Sequence, residues 1–408
     1  MTERLAQLMR EEADGLDVPL PRVEAIILEG RRERRRRRVL PALAGVAAAA
    51  VAGALLVPHL VDDPAPSGES VTAHERADAA FSGAEAAAAA DAYARGGAFA
   101  AGSRLYFGGS GEFGVPIDDP AVKSVYYTSA GVLVRHGTDY AMDDASRDGY
   151  SLVRTDGSIT GLDLHLGDVS ASTDPTQPLL AYARPGRGSG DWDVVVLDLE
   201  SGEPVATVPV DGAFTWGGWD APPVALEGDR VYLGLDDAML AVDWHTGETT
   251  TTPLPTSTYP EINGDRYLSI DNGVSDDGTG LDASVRVRDA LTGETLLDLP
   301  DVGDRFASLS PDGEQVLVLP YLPVGDDGQV QEVPGAVLYT VATGEETTIP
   351  ASPLGGYGWT PDGLVFSVAG DSTTLCEAGS GCTTTPLDLD LSDGEVGTLR
   401  LGGMVNES

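Results

Sequence analysis

Apolar and polar residues alternate in short runs through residues 102–405. Val231, Leu233 and Leu235 are separated by Tyr232 and Gly234, and Val285 and Val287 by Arg286 and Arg288. A period of two is the mark of a half-buried strand. The runs 194–199 and 315–319 are more continuously apolar and read as strands buried on both faces. Two turn signals punctuate these runs. The first is Ser/Thr-Gly-Glu, at Ser110-Gly111-Glu112, Ser201-Gly202-Glu203, Thr246-Gly247-Glu248, Thr292-Gly293-Glu294 and Thr343-Gly344-Glu345. Asp156-Gly157-Ser158 and Asp393-Gly394-Glu395 are looser copies. The glycines follow one another at 46, 45, 45, 46, 51 and 50 residues. The second signal lies 27 to 32 residues before each of these turns. Ser310-Pro311-Asp312-Gly313 and Thr360-Pro361-Asp362-Gly363 are its clear copies. Thr128–Gly131, Ser172–Pro175, Trp219–Pro222 and Asn263–Asp265 are the looser ones.

Each period therefore supplies four short strands and two tight turns. That arithmetic gives an all-β fold, a β-propeller of four-stranded antiparallel blades. Seven outer turns favour seven blades, with six as the alternative. The first turn, around Gly111, has no inner pair of strands before it. Its hairpin is expected to complete a blade near the C-terminus and so close the ring. The two longer periods are read as insertions at 323–334 and 373–385, where a binding feature is expected.

Three segments precede the repeats. Residues 39–61 hold no Asp, Glu, Lys or Arg, and 23 residues span roughly 30 Å as a helix. One transmembrane helix is expected there. The tract Arg31–Arg38 lies directly before it and Asp62-Asp63 directly after, which orients the N-terminus to the cytoplasm and the propeller outside. Residues 1–38 form a basic-ended segment with two short amphipathic helices separated at Pro19 and Pro21. Their candidate role is to dock a cytoplasmic partner through residues 1–30. Residues 62–101 are rich in Ala and Pro and read as a stalk holding the domain 102–405 off the membrane.

Charge excludes one class of partner. The chain carries a net charge of −40, and nearly all of the excess acid lies after residue 61. Such a domain repels phosphate backbones, so nucleic acid is not its ligand. Lys123 is the only lysine, a usage typical of a GC-rich genome. Cys376 and Cys382 are the only cysteines. Outside the membrane they are expected to form a disulfide across a small loop.

Catalytic constellations are not evident. His136, His165 and His245 are far apart and lack metal-ligand spacing. Gly-x-Ser-x-Gly, Walker and dinucleotide motifs do not occur. Gly108–Gly111 falls in register with the repeat and reads as a hairpin, not a phosphate loop. The densest group of candidate calcium ligands is Asp271, Asp276, Asp277 and Asp282, without the order of an EF-hand. Trp216, Trp219 and Trp359 lie near the inner turns and read as blade-to-blade core. No cofactor is called for.

The Ser-Pro-Asp-Gly turns and the Asp-x-x-Thr-Gly-Glu hairpins resemble those of TolB-like and WD-repeat-like propellers over about 300 residues. The N-terminal pattern resembles actinobacterial single-pass membrane proteins encoded near sigma-factor genes, although the His and Cys of a zinc anti-sigma domain are missing from it. A complete repeat frame with no catalytic constellation points to a non-enzymatic, membrane-anchored module that binds or scaffolds a protein, peptide or envelope component. Two alternatives follow. One is a transmembrane regulator with a sigma-factor-type cytoplasmic partner, and the other is a propeller lyase or hydrolase.

Overall fold

The computed structural model describes residues 73–76, 79–140, 148–167, 169, 171–188, 190–215, 219–256, 260–274, 281–300, 302, 306–319, 335–350, 356–369, 371–389, 391 and 398–403. The expected cytoplasmic segment, the membrane span and the insertion 323–334 lie outside them. So do Trp216, the Gly394 turn, Asp276, Asp277 and the side chain of Asp282. Among the described residues no helix is long and apolar enough to cross a membrane.

The chain forms a seven-bladed propeller of antiparallel sheets. It opens with β1 (Ala73–Arg76), α1 (Gly83–Gly96), β2 (Ala98–Ala101), β3 (Arg104–Phe107) and β4 (Phe113–Pro116). Blade 1 is β5 (Ala121–Thr128), β6 (Gly131–Gly137), β7 (Gly149–Val153) and β8 (Ile159–Leu162), with β1 added at its outer edge. Blade 2 is β9 (Ala171–Thr173), β10 (Leu179–Pro185), β11 (Asp191–Asp198) and β12 (Glu203–Asp211). Blade 3 is β13 (Val224–Glu227), β14 (Arg230–Gly234), β15 (Met239–Asp243) and β16 (Thr249–Thr251). Blade 4 is β17 (Glu261–Asn263), β18 (Arg266–Val274), β19 (Leu281–Asp289) and β20 (Thr295–Leu299). Blade 5 is β21 (Phe306–Leu309), β22 (Gln315–Leu319), β23 (Ala336–Thr340) and β24 (Glu346–Ile349). Blade 6 is β25 (Gly358–Trp359), β26 (Val365–Ala369), β27 (Ser372–Glu377) and β28 (Gly381–Pro386). Blade 7 is β2, β3 and β4 with β29 (Arg400–Leu401) as its innermost strand. The two ends of the domain thus meet in one blade, as the unpaired first hairpin required.

Sequence chemistry fixes the outer turns. Gly111, Gly157, Gly202, Gly247, Gly293 and Gly344 all have φ between 68° and 76°, a region that glycine enters at little cost. In blades 3 and 4 an Asp four residues earlier seals the turn. The Thr246 N–H donates to Asp243 at 2.8 Å and the Thr292 N–H to Asp289 at 2.7 Å. These backbone bonds hold both carboxyls below the usual carboxylate range. Blade cores are apolar on both faces. Leu133 and Leu152 of blade 1 pack toward blade 2, while Val132, Val134 and Val153 pack toward blade 7.

Three expectations are corrected. Residues 373–385 are not an insertion but most of the third and fourth strands of blade 6, and Gly379 (φ 73°) is in their turn. The inner turn of blade 3 is Glu227–Arg230, not Trp219–Pro222, which precedes the blade. The supposed stalk contributes β1, α1 and the buried strand β2. The helix packs Tyr93 edge-on against Phe107 and Tyr127 of blades 7 and 1.

Cys376 and Cys382 face each other across β27 and β28 and are joined. The loop they close is short, so loop entropy assigns the bond about 2 kcal/mol. Replacing both by serine is expected to lower stability by that amount in equilibrium denaturation. Reductant should have the same effect on the wild type and none on the variant.

Candidate binding site at the channel mouth

Going round the axis, the innermost strands are β5, β9, β13, β17, β21, β25 and β29. Each has one edge without a ladder partner, so its backbone groups need other acceptors and donors. Side chains from the neighbouring blade supply them. Ser172 Oγ accepts from Leu226 N at 3.0 Å, and Asp174 Oδ2 from Gly228 N at 3.0 Å. Glu227 Oε2 accepts from Gly264 N at 2.9 Å. Glu261 Oε1 accepts from Leu309 N, and Ser308 Oγ accepts from Trp359 Nε1 at 2.9 Å. The Ala98 N–H donates to the Tyr127 hydroxyl at 3.0 Å. Ser172, Asp174, Glu227, Glu261 and Ser308 are therefore ties between blades.

Two of these ties carry shifted carboxyls. Burial pushes Glu227 up to about 7, helped by the nearby Asp174 charge. Burial likewise pushes Glu261 up to about 7, against the pull of the Leu309 N–H. Both exceed the ordinary carboxyl value, so the folded protein holds protons that the unfolded chain releases between about pH 4.5 and 7. Their stabilising contribution is complete below that window and is lost as pH rises through 7. Each contributes up to about 3 kcal/mol. The melting temperature is expected to rise as pH falls from 8 to 5. Glu261→Gln should flatten that rise; an unchanged profile would refute the assignment.

Where the inner strands run into their turns, the blades leave a cavity of about 90 Å³. Its walls come from blades 1 to 5, with Tyr126, Thr173, Ala225, Ile262 and Asn263 among them, and Gly403 from the closing segment. Pro175 and Pro311, from the inner turns of blades 2 and 5, form part of its rim, and the buried Pro260 lies in its wall. That is room for several water molecules or one large side chain, rather than a folded element.

The other predicted residues are dispersed. Asp271 is exposed and paired with Arg286. Among the described residues no group of three His, Cys, Asp or Glu is placed to hold a metal. Trp359 is buried in β25, whereas Trp219 is half-buried before β13, so the two are not equivalent. His165 lies 3.4 Å from Asp163, and His245 lies 3.1 Å from Asp229 beside Trp244, both exposed.

His136 stands apart from them. Its Nδ1 lies 2.6 Å from Asp119 Oδ2 and its Nε2 lies 2.8 Å from Ser151 Oγ. Asp119, His136 and Ser151 come from the β4–β5 connection, β6 and β7. Gly149 makes room for the ring, since a Cβ there would meet His136 Cε1 at 2.9 Å. The order is that of a nucleophilic triad. Ser151, however, is 6 % exposed in mid-strand, beneath the contact with blade 7. The geometry ties a connection to two strands and leaves its hydroxyl out of reach of a substrate. On the same blade, Lys123 and Arg135 clasp the buried Asp148 at 2.7 and 2.8 Å. Sequence reasoning missed both clusters, because each joins residues brought together only by the pairing of β6 with β5 and β7 and by the connections beside those strands.

No known protein family matches the sequence, and no curated protein does. The chain resembles solved structures, a described propeller domain among them. TolB from Acinetobacter baumannii is 14% identical over 68% of this chain and 66% of its own, with a TM-score of 0.34. BamB from Moraxella catarrhalis is 13% identical over 71% and 93%, with a TM-score of 0.34. The propeller domain of the Trilobed protease from Pyrococcus furiosus is 11% identical over 65% and 82%, with a TM-score of 0.41.

Proposed function

We propose that this chain is a membrane-anchored binding module. Residues 39–61 hold its propeller outside the membrane, and the channel mouth engages a polypeptide or an envelope component. The observation that carries this reading is the cavity at the mouth, together with the structural use of the polar groups around it. Concave sites shared by several elements are where ligands bind. The carboxyls that could serve as acid or base there are already engaged as blade ties. The Cys376–Cys382 bond is consistent with an oxidising compartment.

Ala171 lines the cavity on β9 and is half-buried. Ala171→Trp is expected to fill the space, leave the melting temperature within a few degrees, and abolish co-purification of the partner from solubilised membranes. Retention of the same partner by a folded Ala171→Trp protein would contradict the reading.

The regulator alternative is supported by the basic N-terminal segment that precedes the span. Deleting residues 2–30 should then change transcription while leaving capture at the mouth intact. Unchanged transcription removes that alternative.

A further inference from the structure

The strand directions put all inner turns and all outer turns on one face of the ring and the remaining connections on the other. The cavity lies where the inner strands meet their turns, on this same face. Asp229, Asp265, Asp312 and Asp362, from the inner turns of four successive blades, are exposed there. They form a contiguous arc. Asp265 lies 3.9 Å from Arg230 of the blade 3 turn, and Gly264 abuts the Asp312 carbonyl. The Asp312 carboxylate lies beside Gly363, with 3.1 Å to the position of a Cβ there. The Glu of the outer turns extends the same sign of charge outward, with Glu203, Glu248, Glu294 and Glu345 all exposed.

We infer that the mouth takes a basic, extended polypeptide segment, with one side chain in the cavity and flanking Lys or Arg on Asp265, Asp312 and Asp362. This inference rests on the binding-module reading and adds the chemistry of the partner. Charge complementarity selects the occupant, and the proline-rimmed cavity selects a side chain over a free ion. Each exposed pair adds little alone, but an arc with an acidic excess, four Asp against Arg230 and Arg266, steers and orients a multiply charged ligand. Such binding weakens with salt.

The test uses the full chain in detergent micelles and fluorescence anisotropy with two labelled dodecapeptides, one of alternating Lys and Ala and one of alternating Glu and Ala. The Lys peptide is expected to bind and the Glu peptide not to. Asp265→Asn, Asp312→Asn and Asp362→Asn combined should weaken binding about tenfold or more. Asn keeps the acceptor that Asp312 offers Ser310 and Glu314, so the fold is retained. The control combines Asp118→Asn, Asp237→Asn and Asp371→Asn, exposed carboxylates on the opposite face, and should change binding less than twofold. Equal loss in both triple variants, equal affinity for spermidine, or no binding of the Lys peptide overturns the inference. A partner lost from Ala171→Trp but not displaced by the Lys peptide leaves the binding-module reading standing and the cationic inference refuted. Lys-peptide binding unaffected by Ala171→Trp refutes the placement in the cavity.

Discussion

Ending the chain after Thr398 lowers the melting temperature by about 10 °C, because it removes the strand that closes the ring. β29 is only two residues long, yet it is the inner partner of β2, whose residues Ala98 to Ala101 are all buried. Gly402 N donates to Ala98 O at 3.0 Å, and Trp359 N donates to Gly402 O at 3.1 Å. Arg400 Nε donates to the Lys123 carbonyl at 3.0 Å, and its guanidinium lies over the Tyr140 ring. Leu401 is 4 % exposed, and losing its side chain alone costs about 2–4 kcal/mol. The orphaned buried backbone groups add about 1–3 kcal/mol each. Arg400→Ala keeps the backbone pairing and should shift the midpoint by only a few degrees. A truncation that moves it by less than about 2 °C would show that blade 7 is stable without its inner strand.

The second large effect is expected at Gly264. It has φ 56°, and a Cβ there would overlap the Asp312 carbonyl oxygen of the next inner turn. Gly313 meets the Asn263 carbonyl in the same way, so the two turns touch backbone to backbone. Gly264→Ala must push blades 4 and 5 apart or bend both turns. The expected cost is about 3–4 kcal/mol, the sum of left-handed strain and overpacking. Gly228 is the matched control. Its φ is 54°, and nothing lies within 4 Å of a Cβ there. Gly228→Ala should therefore show the backbone strain alone, about 1–2 kcal/mol. Equal costs at the two sites in urea denaturation would refute the turn-to-turn contact.

The repeat frame was legible because outer turns depend on local chemistry. Thr246-Gly247-Glu248 and Thr292-Gly293-Glu294 need a positive φ at Gly and an Asp four residues before it, and both requirements appear as letters in the sequence. The frame broke at blade 6, where Glu377-Ala378-Gly379-Ser380 lacks both the Asp and the final Glu. A disulfide joins the strand pair there, and with the period counted to Gly394 the hairpin at Gly379 reads as an inserted loop. The strand Ala98–Ala101 was hidden for a different reason. Three of its four residues are Ala, which gives no strand signal, and it is a strand because β3 and β29 lie on either side of it.

The mouth itself was not legible. Ser172, Glu227 and Glu261 look like unremarkable strand polar residues, and their partners Leu226, Gly264 and Leu309 lie 37 to 54 positions away. Only ring closure reveals that these side chains replace missing ladder partners. The acidity of the domain was plain, but its placement by turn geometry on the face that carries the cavity was not.

Site-specific photo-cross-linking in intact cells tests the central claim most directly. A benzophenone amino acid is placed at Pro175 or Pro311, on the rim of the mouth, and at Asp237 or Asp371, on the opposite face. The account predicts one discrete cross-linked polypeptide from both rim positions, mapped by mass spectrometry to a Lys- or Arg-containing segment, and none from the opposite face. Cross-links of equal yield from both faces, or from Asp237 and Asp371 alone, would contradict it.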